Sequence, residues 1–168
     1  MQDLVLMDCP STLLEVLFAR QVGQLSVLPD IPLLDVAPAD LALRPLDTLT
    51  VAEAKNRCED LWVAYLSWRS ERHQPSAGAP PPSWRSEYGY ADLDERVMRD
   101  FVGQVRHRTM TDLRRHGPVT VESLRARFGE RIGVPLPDEV TVDVLPLDRR
   151  LHLQVTPHYV LTDLGTWI

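Results

Sequence analysis

The sequence predicts an α+β fold with a helical N-terminal half, a Pro-rich linker and a C-terminal unit of two helices and a β-hairpin. Three observations support this prediction. Apolar residues recur at helical spacing behind capping signals, the segment HQPSAGAPPPSW offers nothing to bury, and valines alternate with polar residues over 140–144. We therefore divide the chain into residues 1–73, a linker at 74–86, and residues 87–168.

The composition is that of an ordinary globular protein. The chain has 168 residues, of which 44% are hydrophobic and 25% are charged. Its net charge of −6 argues against a surface that attracts phosphate everywhere. Basic residues are almost all arginine, with Lys55 as the single lysine, which we attribute to coding bias in a GC-rich bacterial genome.

The cysteines and the N-terminal residues predict a cytoplasmic protein without a membrane partner. Cys9 and Cys58 are far apart and have neither the spacing of a zinc site nor that of a disulfide framework. The chain begins with acidic residues where a signal peptide would carry basic ones, and no apolar run approaches the ~20 residues of a membrane span.

The N-terminal half begins with a helix and continues as an extended arm. Thr12 and Glu15 have capping-box spacing, and Gly23 ends the helical pattern. Prolines between positions 29 and 45 then interrupt an apolar segment over 24–49, which excludes both a long helix and a central strand. This arm either packs on its own domain or embraces a partner subunit. The arm residues expected at a partner interface are Leu33 and Leu34.

The second helix is the clearest element. Thr50 and Glu53 form another capping box, and the helical pattern continues to about residue 72 with one apolar stripe. Its aromatic residues have the spacing of core or interface anchors, not of a cofactor site. We expect them to anchor a protein interface. They are Trp62, Tyr65 and Trp68.

The C-terminal half predicts two further helices and the hairpin. The third helix begins near Asp92 and Glu95, and it ends with basic residues before Gly117 and Pro118. A fourth helix begins at Thr120. The predicted hairpin pairs residues 140–144 with 151–155, and a short strand at 159–161 follows.

No pattern in the sequence predicts catalysis. A phosphate-binding glycine loop, a GxSxG elbow, an HExxH motif and a CxxC pair are all missing from the sequence. Acidic residues are scattered, and Cys58 lies on the apolar stripe of its helix. We therefore predict no catalytic, cofactor-binding or metal-binding residue, and no cofactor.

A basic segment favours an alternative function. Residues 96–131 contain nine arginines and four acidic residues, a net charge of +5. Two helices followed by a hairpin suggest a winged helix-turn-helix, although VPLPDE occupies the place of a recognition helix. A basic surface that pairs with the acidic N-terminal half is the simpler interpretation. In the DNA-binding alternative, the contacting residues are Arg106, Arg108, Arg114, Arg115, Arg125 and Arg127.

Residues from about 120 to 157 resemble the module shared by nitrile hydratase α-subunits and nitrile-hydratase-type leader peptides. This resemblance implies a helix, a Leu-Pro turn, a strand and a Leu-His-Leu strand that ends in proline. The cysteine cluster that holds iron or cobalt in nitrile hydratase is missing here, so the resemblance implies a structural subunit or a binding module. The residues that carry it are Phe128-Gly129, Gly133-Val134, Leu136-Pro137-Asp138, the valines at 140, 142 and 144, Leu151-His152-Leu153, Val155 and Pro157.

These observations lead to one hypothesis and two alternatives. The leading hypothesis is a non-catalytic interaction protein or accessory subunit of an intracellular complex, with another protein or a second copy of itself as partner. The alternatives are a winged-helix-like DNA-binding regulator and a structural subunit of a nitrile-hydratase-related enzyme.

Overall fold

The computed structural model describes residues 4–35, 50–71, 80–88, 95–117, 119–128, 136–137 and 139–167. Within them the predicted α+β class is confirmed, because several helices accompany one sheet. The elements in chain order are β1 (Leu4–Asp8), α1 (Ser11–Val22), α2 (Val51–Ser70), α3 (Trp84–Tyr88), α4 (Glu95–Arg115), α5 (Val121–Phe128), β2 (Glu139–Leu145), β3 (His152–Thr156), β4 (Tyr159–Asp163) and a 3₁₀ helix (Leu164–Thr166).

The described strands form one mixed sheet in the order β1-β2-β4-β3. Strand β2 pairs in parallel with both β1 and β4, so that Asp8 lies opposite Asp143 and Val142 lies opposite Val160. Strand β3 pairs antiparallel with β4 at the other edge. Because β2 is central and covered on both faces, all its residues after Glu139 are buried.

Alternate residues of β2 face two different layers of the protein. The even-numbered valines pack with α5 and Trp167 on one face. Leu145, together with Leu161 of β4, faces the layer formed by α1, α2 and α4. Helix α1 is the centre of that layer, since its residues from Thr12 to Arg20 are all buried. Helices thus cover both faces of the sheet.

The side-chain N-cap predicted at Thr50 for α2 is confirmed, whereas the capping box predicted for α1 is wrong. The hydroxyl of Thr50 accepts a hydrogen bond from the Glu53 N–H at 3.1 Å. Helix α1 follows Pro10, which provides no side-chain cap. The Thr12 hydroxyl instead donates to the carbonyl of Pro82 at 2.6 Å, so this polar side chain makes a long-range contact.

The end of α1 has its left-handed residue one position after the glycine. The Leu25 N–H donates to the Arg20 carbonyl at 2.9 Å. The Gln24 N–H donates to the Gln21 carbonyl at 3.2 Å, and together the two bonds define a Schellman motif. Gln24 has φ +51°, while Gly23 has φ −79°. A left-handed residue other than glycine costs about 1–2 kcal/mol, so this helix end is strained.

The end predicted for the third helix is confirmed. Helix α4 ends at Arg115, and Gly117 has φ +82°. That backbone conformation favours glycine. Asp92, at the predicted start of this helix, and the residues of the arm from 36 to 49 lie outside the described residues.

The predicted hairpin between 140–144 and 151–155 is wrong in its pairing. Strand β2 pairs with β1 and β4, and the hairpin of the C-terminal unit forms between β3 and β4. The additional strand expected at 159–161 is confirmed as β4. Strand β1 was not predicted from the sequence. Its pairing with β2 brings the two ends of the chain into one sheet.

The predicted division at a linker does not separate two packing units. Strand β1, from the predicted N-terminal unit, pairs with β2 of the predicted C-terminal unit. Residues 80–86 of the predicted linker are described, and among them Trp84 is fully buried in the core layer of α1. No helix in the described part of the chain combines the length and the apolar character that a membrane crossing requires.

Candidate functional site

The described part of the predicted arm, residues 24–35, packs on its own domain and is held by Arg20 of α1. Nη1 of Arg20 donates to the carbonyls of Leu28 at 3.1 Å and Ile31 at 2.8 Å, and Nη2 donates to that of Pro32 at 2.6 Å. Prolines leave such a segment without regular backbone pairing, so its carbonyls need other donors. One buried guanidinium group supplies them.

The far end of the arm is joined to the connection between β2 and β3. The Asp148 N–H donates to the Leu33 carbonyl at 2.8 Å, and the Asp35 N–H donates to the Pro146 carbonyl at 2.8 Å. Leu34 forms an antiparallel bridge with Leu147. These two hydrogen bonds flank Leu34, and on the other side of Leu33 the Pro32 carbonyl accepts from Arg20.

Two features of this arrangement are unfavourable for folding. Leu28 has φ +51°, a strained conformation for a branched side chain that persists only where the surroundings enforce it. Burial lowers the pKa of the Arg20 guanidinium below its usual value. Both are unfavourable contributions, and the three carbonyl hydrogen bonds offset them.

The arm forms one wall of a cavity of about 420 Å³, which we call the arm groove. Leu33 is 46% exposed there, a high value for a leucine. Arg149 and Arg150, on the opposite connection, are also exposed, and Arg149 Nε lies 3.8 Å from Asp148 Oδ1. The residues that define the arm groove are Arg20, Asp30, Leu33, Arg149 and Arg150.

The residues predicted at a protein interface lie in different environments. Leu33 is exposed, while Leu34 is buried. Trp62 and Tyr65 are each only 4% exposed and belong to the core around α1, so the structure does not present them to a partner. The apolar stripe of α2 faces its own domain. Trp68 is half-buried, with its ring centroid 5.7 Å from that of Tyr65.

The residues predicted for DNA binding are not gathered into a winged-helix surface. The predicted wing does not exist, since β2 is a central strand of the sheet. Arg106 pairs with Asp8 at 2.9 Å, and Arg125 donates to the Leu136 carbonyl at 2.7 Å. The side chain of Arg127 lies outside the described residues. Among the arginines predicted for DNA binding, those that are exposed on α4 are Arg108, Arg114 and Arg115.

A buried polar cluster on the sheet was not predicted. Asp143 is fully buried on β2 and accepts hydrogen bonds from the hydroxyls of Tyr159 at 2.6 Å and Tyr65 at 3.4 Å. Nη2 of Arg69, at the end of α2, lies 3.4 Å from Asp143 Oδ1. Asp8 is at the same register on the neighbouring strand. The sequence signal for this cluster is an aspartate between valines. Its position in the alternating pattern was that of a solvent-facing residue.

Burial dominates the ionisation of this cluster. Desolvation raises the pKa of Asp143 to about 6, although Arg69 and the Tyr159 hydroxyl act in the opposite direction. Desolvation and the nearby Asp143 carboxylate raise the pKa of both tyrosines, so their hydroxyls remain hydrogen-bond donors. The cluster therefore joins α2 to the sheet through one buried carboxyl group, two neutral hydroxyls and the Arg69 guanidinium.

The cysteines are not activated for chemistry. Both are buried and unpaired, and desolvation raises the pKa of each thiol to about 12. The thiolate is the reactive form, so neither group is an effective nucleophile at neutral pH. Among the described residues, no group of three or more potential ligands is placed to hold a metal ion.

Comparison of the chain with protein-family models, with curated proteins and with solved structures finds no match. The relation of residues 120–157 to the nitrile hydratase module stays a prediction.

Proposed function

We propose that the chain is a non-catalytic interaction protein or accessory subunit of a cytoplasmic complex, and that it binds an acidic segment of another protein in the arm groove. The observation that carries this proposal is the fixed position of Leu33. Its backbone is held by hydrogen bonds, whereas its side chain is exposed beside Arg149 and Arg150. A rigid apolar anchor loses little conformational entropy on binding.

The charges of the arm groove define the partner. Two exposed guanidinium groups and one carboxylate, that of Asp30, line it near Leu33. Arginine forms bidentate hydrogen bonds with carboxylates, so a segment with Asp or Glu residues next to an apolar side chain fits this surface. Two unpaired, buried thiols are typical of a reducing compartment, which supports the cytoplasmic assignment.

The test is affinity capture from bacterial lysate with three versions of the chain, followed by binding of the captured protein in purified form. The versions are wild type, Leu33→Asp with Arg149→Glu, and a control with Arg114→Glu and Arg115→Glu on α4. We expect a protein that wild type and the control bind and the groove variant does not. Its affinity should fall with rising salt.

A photo-crosslinking residue at position 33 then identifies what lies in the groove. We expect crosslinks to an acidic segment of the captured protein. Crosslinks to a second copy of this chain, or binding that survives in the groove variant and is lost in the α4 variant, would contradict the proposal. Loss only in the α4 variant would instead favour the DNA-binding alternative or another use of α4.

A further inference from the structure

A second cavity, of about 280 Å³, opens where strand β1 ends. It shares no lining residue with the arm groove. The first turn of α1 forms one wall, and side chains from the end of α2 and from α4 form others. The charged and aromatic residues that line it are Asp8, Tyr65, Trp68, Arg69 and Arg106.

Each of the two arginines of this cavity pairs with a carboxylate, but neither pairing uses all of its hydrogen-bond donors. Arg69 is 3.4 Å from Asp143 Oδ1, a long distance for a charge-assisted pair. Asp143 already accepts a short hydrogen bond from Tyr159, and its burial disfavours a full negative charge. The Nε of Arg69 is buried and has no hydrogen-bond partner among the described residues. This guanidinium therefore has a donor that the described residues do not satisfy.

Arg106 also has N–H donors that its carboxylate partner does not use and that can serve the same cavity. Its Nη2 donates to Asp8 Oδ1 at 2.9 Å, and that oxygen also accepts from the Cys9 N–H. A guanidinium has five N–H donors in a planar fork, and this carboxylate occupies only part of it. Two guanidinium groups on one small cavity form a recognition site for a planar anion.

The aromatic residues indicate what accompanies the anion. The rings of Tyr65 and Trp68 lie side by side with an interplanar angle of 35° and both line the cavity. Its volume is at the small end of ligand sites, which excludes a folded peptide or a dinucleotide. We propose that this cavity binds a small organic carboxylate, with the carboxylate held by Arg69 and Arg106 and the apolar part against Trp68.

The experiment titrates the full-length protein with benzoate, benzamide and inorganic phosphate and follows backbone amide signals by NMR. Benzamide has the shape of benzoate without its charge, and phosphate has charge without an apolar part. We expect saturable shifts with benzoate at residues around Asp8, Trp68 and Arg106. Benzamide and phosphate should each bind at least about tenfold more weakly, since each lacks one of the two contacts.

Variants separate the cavity from non-specific binding. Arg106→Gln should weaken benzoate binding about tenfold or more, while Arg149→Gln in the arm groove should leave it unchanged. Asp8→Asn should strengthen it, because a like charge is removed from the site. Arg106 and Asp8 are partly exposed, so both variants should fold. Non-saturable shifts, equal binding of benzamide or phosphate, or unchanged binding in Arg106→Gln would overturn the proposal.

Discussion

At the residue scale, two carboxyl groups in the interior make the stability of the protein depend on pH. Glu15 is 8% exposed, and the hydrogen bond it accepts from the Trp84 N–H is long, at 3.4 Å. Desolvation raises the pKa of Glu15 to about 7, well above the ordinary value for a glutamate. Asp143 is fully buried, and its pKa is raised to about 6. Both groups favour the folded state most when they are protonated.

The sign of the pH effect follows from these values. A group with a raised folded-state pKa contributes stability below its unfolded pKa and loses it as pH rises through the folded value. The free energy of unfolding should therefore fall between about pH 4 and pH 7, with Asp143 and Glu15 titrating in that window.

Glu15→Gln should stabilise the protein at pH 8. The substitution keeps the shape and removes the ionisation penalty, which amounts to about 3 kcal/mol for the raised pKa. Urea unfolding at pH 8 and pH 5 measures the change, and the gain should shrink to about 1 kcal/mol or less at pH 5. The matched control is Glu59→Gln on the exposed side of α2. A gain of equal size at both pH values would contradict the assignment.

Tyr159→Phe should cost more stability than Tyr65→Phe. Each substitution removes a hydroxyl that donates a hydrogen bond to Asp143. The bond from Tyr159 is 2.6 Å long, and the bond from Tyr65 is 3.4 Å long. Loss of a hydrogen bond to a charged group costs about 1.5–3 kcal/mol, and the longer contact should contribute well below that. Chemical unfolding at pH 7.5 compares the two variants directly. Equal losses would show that the two hydroxyls serve Asp143 alike.

At the element scale, the end of α1 combines a favourable hydrogen-bond pattern with an unfavourable residue. The Schellman pair of bonds is complete, and Arg20 both closes it through its carbonyl and holds the arm through its side chain. The left-handed position is filled by exposed Gln24. A Cβ added to the preceding Gly23 would lie 3.1 Å from the Ala19 carbonyl oxygen, so a side chain there would require its neighbours to move by a few tenths of an ångström.

Gln24→Gly should stabilise the protein by about 0.5–1 kcal/mol. Glycine removes the left-handed strain of about 1–2 kcal/mol and adds back some entropy to the unfolded chain. Gln24→Ala is the control, because it removes the same exposed side chain and keeps the strain. Thermal unfolding of the three proteins tests this. A stabilisation by alanine as large as that by glycine would show that the side chain, and not the backbone, is responsible.

At the scale of the whole molecule, the sheet is shared between the two ends of the chain. Leu4 on β1 lies opposite Glu139 on β2, and the cluster around Asp143 takes Tyr65 and Arg69 from α2. Trp84, on the short helix between the two predicted halves, is buried in the layer of α1. Neither half has a complete hydrophobic core without the other.

Separate fragments 1–73 and 87–168 should therefore fail to fold. Without α1 and α2, one face of the sheet would lose its covering layer, and the Asp143 carboxyl would lose two of its partners. Circular dichroism and NMR of each fragment should show no cooperative unfolding, and the intact chain should unfold in one transition. A fragment 87–168 with dispersed signals and a cooperative transition would restore the predicted division into two units.

The local signals in the sequence predicted the four longer helices, but missed the short helix α3 and the pairing of the strands. The Thr50 capping box and the Gly117 stop act through neighbouring residues and are read directly from spacing. The valine alternation over 140–144 was interpreted as one buried face, although Thr141 and Asp143 between the valines are buried as well. A central strand that is covered on both faces can still show alternating apolar and polar residues, because buried hydrogen-bond partners can satisfy its polar side chains.

The candidate sites depend on contacts between residues that are distant in the sequence, and the spacing of residue types along the chain does not reveal such contacts. Leu33 was predicted at an interface and is exposed. Its position depends on Arg20 of α1, whose guanidinium donates to carbonyls of the arm. Trp62 and Tyr65 have the same helical spacing whether they face a partner or their own core. The Asp8–Asp143 pairing brings together residues 135 positions apart through the parallel register of β1 and β2.

That parallel pairing has a consequence for synthesis on the ribosome. Strand β1 is translated before its partner β2, which follows more than a hundred residues later. At a rate of about 5–20 residues per second, β1 waits roughly 7–25 s for the strand that covers its edge. During that time a short apolar segment with free backbone groups is open to chaperones or to other nascent chains. The yield of folded protein should then depend on translation rate and chaperone supply more than its final stability suggests.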